Sequence, residues 1–490
     1  MPSPPASAIA RTRAPRDGAD RPYCRDTPDD LAAVLGDAAG HRGGHATRLC
    51  LPASEGEVAA VLAREPRVLC IGAQSSLTGG ATPRGECVVS TARLAQLTLH
   101  GGSSATVGAG VVLRTLLDQL AAAGLYYPPV PTWDGATLGG TVATNAAGAA
   151  TFKYGSTRDW VRRAVFVLAG GEVLELHRGE VVAGADDTFV LERRDGSHTC
   201  IRRPAIVMPE VAKISSGYWS KPGMDLLDLL IGSEGTLALV TEVEVALVAR
   251  PRCLVALVPV ATEEEALHLT AALRREGQRT RHERDPRGLD VAAIEYIDAA
   301  SARLLHEDGI PARERVALPS DVGALLLLQV EVPPGADEAI AGVLGAMLAA
   351  HGSLDATVVA APDETRRQAA LFALREAVPE GINRRILAAQ RQFGPAIAKA
   401  AADVVVPFAE LAGALQSYRA IAARHGLACF VWGHVSDGNV HPNLLPRDAE
   451  EAARAEIALL EIGREAIARG GAPMSEHGVG RSRVKQQLLF

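Results

Sequence analysis

Residues Gly72 to Pro83 read GAQSSLTGGATP, a run of small and hydroxyl-bearing residues between two short apolar stretches, RVLCIG (67–72) and CVVST (87–91). The flanks read as buried strands, and Val58, Val61 and Leu62 behind Ser54 have the spacing of a helix ahead of them. A loop with so little side-chain bulk can present consecutive backbone N–H groups to an anion such as a pyrophosphate, or it can be an ordinary turn. It is not a P-loop, because GK[ST] is absent, and it lacks the GxGxxG of a Rossmann unit. Two more segments share its character: Pro131 to Gly155, with PTWDGATLGGTVATNAAG at its start, and IGSEGTL at 231–237. The 131–155 segment is too rich in Gly, Ala and Thr to predict a regular element. Together the three segments suggest an extended ligand lying against backbone.

Around these loops the chain alternates strands and helices without strict order, which points to an α+β fold. Leu113, Leu116, Leu117 and Leu120 mark one helix face, AVFVLAG and EVLEL read as strands, and MDLLDLLIG reads as a helix closed by Gly232. LALVTEVEVALV alternates apolar residues with Glu242 and Glu244, as a half-exposed strand does. The pattern changes at Arg250-Pro251. Beyond it come a strand CLVALVPV, a helix opened by the capping box Thr262/Glu265, strands DVAAIEYI and ALLLLQVEV, a helix over 340–350 and ATVVAA. That order, β-α-β-β-α-β, is the split ferredoxin-like arrangement. Helices are predicted around 364–402, 408–425 and 449–469.

The totals exclude several classes. A chain of 490 residues, 48% apolar and 22% charged, forms two or three ordinary globular domains. A net charge of −7 with no basic run argues against nucleic acid. No stretch is long and apolar enough to span a bilayer. Residues 1–22 lack the apolar core of a secretory signal and read as a disordered arm. Seven scattered cysteines without ligand spacing read as reduced thiols. Arginine outnumbers lysine forty-five to five, and several of the lysines (153, 213, 221, 399 and 485) fall beside the glycine-rich or histidine-bearing segments, a mild hint of retention for chemistry.

The stretch WGHVSDGNVHPN (432–443) places His434 and His441 around Asp437-Gly438. If that pair forms a two-residue type I′ turn, His434 faces His441, with Cβ atoms about 4.5–5.5 Å apart, close enough to share an ion. Solvated histidines on a hairpin are the competing reading.

GAQSSLTGGATP, PTWDGATLGGTVATNAAG with KYG, SSGY with DLLDLLIGSEGTLALVTEVEVAL, GHVSDGNVH and EHGVG (476–480) occur in the order seen in FAD-linked oxidoreductases of the vanillyl-alcohol oxidase / p-cresol methylhydroxylase superfamily. From about Tyr23 onward the chain resembles the D-lactate, D-2-hydroxyglutarate and glycolate dehydrogenase branch. The resemblance implies a two-part FAD-binding domain of the p-cresol methylhydroxylase type over 23–250, then a ferredoxin-like substrate cap over 251–490 with extra C-terminal helices. The cap is expected to be cut short at its end, because relatives continue further.

The resemblance also assigns residues. Gly72, Ala73, Gln74, Ser75, Ser76, Thr78, Gly79 and Gly80 would cradle the FAD pyrophosphate. Pro131, Thr132, Gly135, Ala136, Gly139, Gly140, Thr144 and Asn145 would lie along the ribityl chain and flavin, with Glu234 and Gly235 near the adenosine. The FAD is expected to be non-covalent, because no histidine sits in the first loop. His434, His441 and Glu476 would hold a divalent metal, with zinc the expected ion, and His477 would be the catalytic base. Arg375 would clamp the substrate carboxylate, Lys399 would act on the same anion, and Asn439 would reach flavin or substrate. Such a site oxidises a D-2-hydroxy acid: the metal polarises the hydroxyl, the base removes its proton and C2 delivers hydride to flavin N5.

Electrons would pass to a quinone, a cytochrome, an electron-transfer flavoprotein or O₂. The expected place is the cytoplasm, including the inner face of the membrane, and the oligomer considered is a homodimer. An alkylphenol or aldonolactone enzyme on the same scaffold would not need the metal group. A metal-dependent hydrolase would leave the glycine-rich half without a purpose, and an inactive truncated paralogue is a third alternative.

Overall fold

The computed structural model describes residues 7–18, 22–40, 43–394, 397 and 399–489. The first glycine-rich loop leaves a four-stranded sheet ordered Tyr23–Arg25, His45–Leu51, Arg84–Ser90, Val68–Ile71, whose last three strands run parallel. The helix Glu55–Arg64, capped by Ser54, covers it with Val58, Val61 and Leu62 buried, as their spacing predicts.

An eight-stranded sheet forms the second part of this half. Its order is His198–Arg202, Thr188–Glu192, Ile9–Arg13, Val173–His177, Val161–Val167, Leu239–Ala246, Ser104–Gly108, Leu97–His100. Leu239, Val243 and Val245 are buried while Glu242 and Glu244 are half-buried, so the alternation reads as expected.

The disordered arm expected over 1–22 needs correction. Ile9–Arg13 is an inserted strand, parallel to Thr188–Glu192 and antiparallel to Val173–His177. Arg13 fixes it through ion pairs to Glu55 at 2.6 Å and Glu175 at 3.0 Å. Residues 1–6 and 19–21 lie outside the described residues. The expectation of free thiols is also corrected: Cys24 and Cys50 oppose each other on antiparallel neighbours, with Cα atoms 4.1 Å apart, and form a disulfide.

The 131–155 segment is not irregular throughout. Leu138–Thr144 is a helix, capped by the Thr137 hydroxyl, which accepts from the Gly140 amide. Its small residues serve close approach: a Cβ on Gly139 would lie 2.6 Å from the Ala109 side chain, and one on Gly72 would lie 2.2 Å from Thr137 Oγ1.

In the second half the strands Cys253–Val260, Asp290–Asp298, Ala324–Glu331 and Val358–Ala360 form one antiparallel sheet in spatial order fourth, first, third, second. This is the ferredoxin-like arrangement, and the Thr262/Glu265 capping box opens the helix Glu263–Glu283. The sheet continues from Asp290–Asp298 through Ala428–His434 and Asn439–Leu445. The helices Thr365–Phe393, Leu411–Arg424 and Ala449–Ala468 complete this half. Among the described residues no helix is long and apolar enough to cross a membrane.

Candidate active site between the two halves

The histidine hairpin differs from the expected two-residue turn. Trp432, not His434, pairs with His441, and Val435–Asp437 form a 3-10 turn that ends at Gly438 with φ 83°. The cause is Asp437: its carboxylate is buried, with Oδ1 accepting from the Asn439 amide and Oδ2 facing Lys213, so it cannot occupy a solvent-facing turn position. The histidines still meet, with ring centroids 5.5 Å apart at right angles.

Glu476 stands at the centre of three imidazoles. Its Oε1 lies 3.2 Å from His434 Nε2, 3.4 Å from His441 Nε2 and 3.6 Å from His477 Nε2. Donors bound at about 2.0–2.2 Å around a tetrahedral ion stand roughly 3.4 Å apart, which is the spacing of His434 and His441 from Glu476, and the donor atoms of Asp403, His441, Glu476 and His477 all lie within 4.8 Å of one another, close enough to hold a metal ion. The second nitrogens of the His434 and His441 rings face carboxylates. His441 Nδ1 lies 3.5 Å from Asp403 Oδ1. His434 Nδ1 meets Glu295, the carboxylate–histidine pairing that orients metal-ligating rings.

The charges make the same demand for a cation. Burial opposes a charged His434, yet Glu295 and Glu476 outweigh it and raise the ring to about 9, so without an ion a proton occupies this place. Burial likewise favours a neutral Glu476, but Lys213 and His434 hold it well below the usual carboxylate range. Burial pushes His477 down to about 4, a shift that Asp403 and Glu476 oppose without cancelling. The His477 imidazole is therefore neutral near pH 7, and its side chain keeps 30% exposure.

The segment Ser475–Gly480 carrying Glu476 and His477 is held along its length. Asp403 Oδ2 accepts the amides of Glu476 at 3.0 Å and His477 at 2.8 Å, and Oδ1 takes the Ser475 hydroxyl. From the other half, Ser215 Oγ accepts the Gly478 amide, and Glu234 accepts those of Val479 at 2.8 Å and Gly480 at 2.9 Å. Glu234, expected beside the adenosine, thus ties its loop to the catalytic segment. Past it, Arg481 donates its amide to Thr78 O at 2.9 Å, so the same segment ends on the first glycine loop.

The glycine segments converge as an extended cofactor requires. Gly72, Gly139, Gly140, Ser233, Gly235 and Val240 border one cavity. The amides of Ala73 to Leu77 donate to no described residue, which leaves them available to an anion. Gln74 takes φ 52° and anchors the loop through its side-chain amide, which donates to Val34 O and Ala81 O. Ser76 and Thr78 bond each other, and Thr78 is buried. Pro131, Gly135 and Ala136 are half-buried, and Thr132 is exposed. Thr144 and Asn145 turn inward instead: Thr144 Oγ1 donates to Gly140 O, and Asn145 accepts from the Arg158 amide and donates to Ile214 O.

Three other expected residues lie in different surroundings. Asn439 is fully buried and donates to Asp403 Oδ1 and Val404 O, which braces Asp403 rather than facing an open site. Arg375, buried on the long helix, commits Nε to Glu295, and its two terminal nitrogens bond no described residue. Lys399 is exposed just before the short strand Ala400–Ala401, beside residues 395, 396 and 398, which lie outside the described residues.

Asp403 and Glu295 were not singled out, and Lys213 only as one of the five scarce lysines. Each interrupts an apolar run (AADVVVP, DVAAIEYI and VAKIS), and a charge inside such a run signals a buried partner.

Comparison with known proteins agrees with this arrangement. Residues 46–177 match the FAD binding domain family, and residues 255–488 match the C-terminal domain of FAD linked oxidases. An uncharacterised FAD-linked oxidoreductase of Mycobacterium tuberculosis is 30% identical over 453 residues, covering 88% of this chain and 82% of the relative. A D-lactate dehydrogenase of Archaeoglobus fulgidus is 28% identical over 444 residues, covering 89% and 83%. In fold, the chain resembles the 4-ethylphenol oxidase of Gulosibacter chungangensis, with a TM-score of 0.62 at 13% identity over 93% of this chain and 86% of that one. The chain belongs to the FAD-linked oxidoreductases, an FAD-binding domain joined to an FAD-linked oxidase C-terminal domain.

Proposed function

We propose that the protein oxidises a D-2-hydroxy acid of the D-lactate, glycolate or D-2-hydroxyglutarate kind. The observation that carries this reading is the convergence of His434, His441 and His477 on Glu476, on a segment that runs directly onto the FAD-binding loop. A phenol or lactone needs no such group, and the D-lactate dehydrogenase relative lends support from sequence. A hydrolase would leave the FAD-binding half idle.

When bound, a divalent ion, zinc by its donor set, would draw in the hydroxyl and carboxylate oxygens of the substrate, and non-covalent FAD would take the hydride from C2. His434, His441 and Glu476 would hold the ion. His477 accepts the hydroxyl proton at Nε2. Its Nδ1 faces Asp403 Oδ2 at 3.5 Å. Arg375 offers its terminal nitrogens to the carboxylate, a task suited to a planar donor, while Glu295 fixes the guanidinium and His434 together. Lys399 adds positive charge for the same anion. Asn439 keeps Asp403 in place.

We place the domain junction at Arg250-Pro251, close to where the second family match begins. The acceptor class is a quinone, a cytochrome, an electron-transfer flavoprotein or O₂, reached from the cytoplasm or the inner face of the membrane. The test is an anaerobic screen of the purified flavoprotein against D-lactate, glycolate, D-2-hydroxyglutarate and alkylphenols. Bleaching of the flavin band by one of the hydroxy acids is the expected result; bleaching by alkylphenols alone would reassign the substrate.

A further inference from the structure

The Lys213 side chain is fully enclosed, and the role just given to the site does not use it. Its Nζ lies 2.9 Å from Glu476 Oε2 and 3.2 Å from Asp437 Oδ2. We propose that Lys213 is a positioning residue for Glu476, holding Oε2 so that the carboxylate offers a single oxygen, Oε1, to the metal. This rests on the reading of Glu476 as a ligand.

The two oxygens of Glu476 have separate surroundings. Oε1 faces the three imidazoles, and Oε2 faces the ammonium. Without the ammonium the carboxylate could turn and chelate through both oxygens, or swing away from His434 and His441. With it, Oε2 is engaged by a charge-assisted hydrogen bond, and a second cation is repelled from that edge. A compact ammonium suits this task, since it binds one oxygen of each carboxylate rather than clamping both as a guanidinium would.

The placement of Nζ is fixed by backbone contacts. Lys213 comes from the FAD-binding half, and the residues that follow it grip the catalytic segment: Ser215 N donates to Met474 O at 3.1 Å, and Ser216 Oγ donates to the same oxygen at 2.9 Å while accepting the Met474 amide. Next to it Ile214 packs with Val405 and Ala472 of the cap. The orientation of a cap ligand is thus set by a cation from the other half.

The test is zinc affinity, measured by chelator competition on the full-length, FAD-loaded protein. Wild type is compared with Lys213→Met, Lys213→Arg, Asp437→Asn and Lys213→Met/Asp437→Asn. The double variant removes one buried carboxylate with the ammonium, so it folds where the single variant fails. Loss of a group that orients a ligand weakens metal binding about 10–100-fold, and that loss is expected in Lys213→Met and in the double variant relative to Asp437→Asn, with partial recovery in Lys213→Arg. A folded, FAD-loaded double variant that binds zinc as tightly as Asp437→Asn would overturn the proposal. A wild type that takes up no zinc would instead remove the metal reading on which it rests.

Discussion

The backbone amide of His477 lies 2.8 Å from Asp403 Oδ2, and the same oxygen accepts the Glu476 amide at 3.0 Å. One buried carboxylate therefore sets the place of both the proposed base and a proposed ligand, whose side chains meet with Nε2 3.6 Å from Oε1.

Asp403→Ala leaves the amides of Glu476 and His477 and the Ser475 hydroxyl without their acceptor. Hydrogen bonds to a charged group are worth about 1.5–3 kcal/mol each, so the melting temperature should fall clearly and turnover should drop at least about tenfold. Calorimetry and steady-state assays check this, and an unchanged melting temperature would show that the carboxylate does not hold the segment.

His477→Gln removes the proton acceptor but none of the three proposed ligands. Turnover should fall by about 10²–10⁴-fold, the usual contribution of a general base, while zinc content by elemental analysis stays at the wild-type level. Wild-type turnover in this variant would end the assignment of His477 as base.

Gly480→Ala should loosen the flavin. A Cβ there would sit 2.1 Å from Thr78 Oγ1, and φ of 54° disfavours any side chain. The variant must push away either the first glycine loop or the catalytic segment, so FAD content per polypeptide should fall. Full flavin occupancy would show that the two are not as tightly joined as their contact implies.

The N-terminal strand should be acid-sensitive. Burial raises Glu55 and Glu175, but Arg13 outweighs it, aided at Glu175 by Arg16 and Arg163, and both carboxyls sit below their ordinary value of 4.5. Their stabilising effect is complete above that value and disappears as pH falls through the lower folded value. Hydrogen exchange of Ile9–Arg13 should therefore speed up below pH 4.5 before the rest of the eight-stranded sheet responds; uniform protection there would contradict this.

The legible parts of this molecule are those whose meaning is local. The Thr262/Glu265 box, the alternation of Leu239–Ala246 and the ferredoxin-like order follow from spacing alone, and EHGVG with GHVSDGNVH named the residues that meet at Glu476. The hairpin register was not legible, because the turn is set by Asp437 facing Lys213, more than two hundred positions earlier in the chain. The partners of Glu234 were hidden for the same reason: they are the amides of Val479 and Gly480. The strand Ile9–Arg13 is short and polar, and only its ion pairs with Glu55 and Glu175 show why it inserts. Leu138–Thr144 was hidden by composition, since its Gly139 serves packing against Ala109 rather than helix propensity.

The central claim, a metal-dependent hydroxy-acid oxidation at the flavin, is tested most directly by the rate of anaerobic flavin reduction before and after chelation. The FAD-loaded protein should be bleached by a D-2-hydroxy acid, lose that response when stripped of metal with its flavin retained, and recover it on addition of zinc. Undiminished bleaching by the hydroxy acid after complete removal of metal would contradict the account.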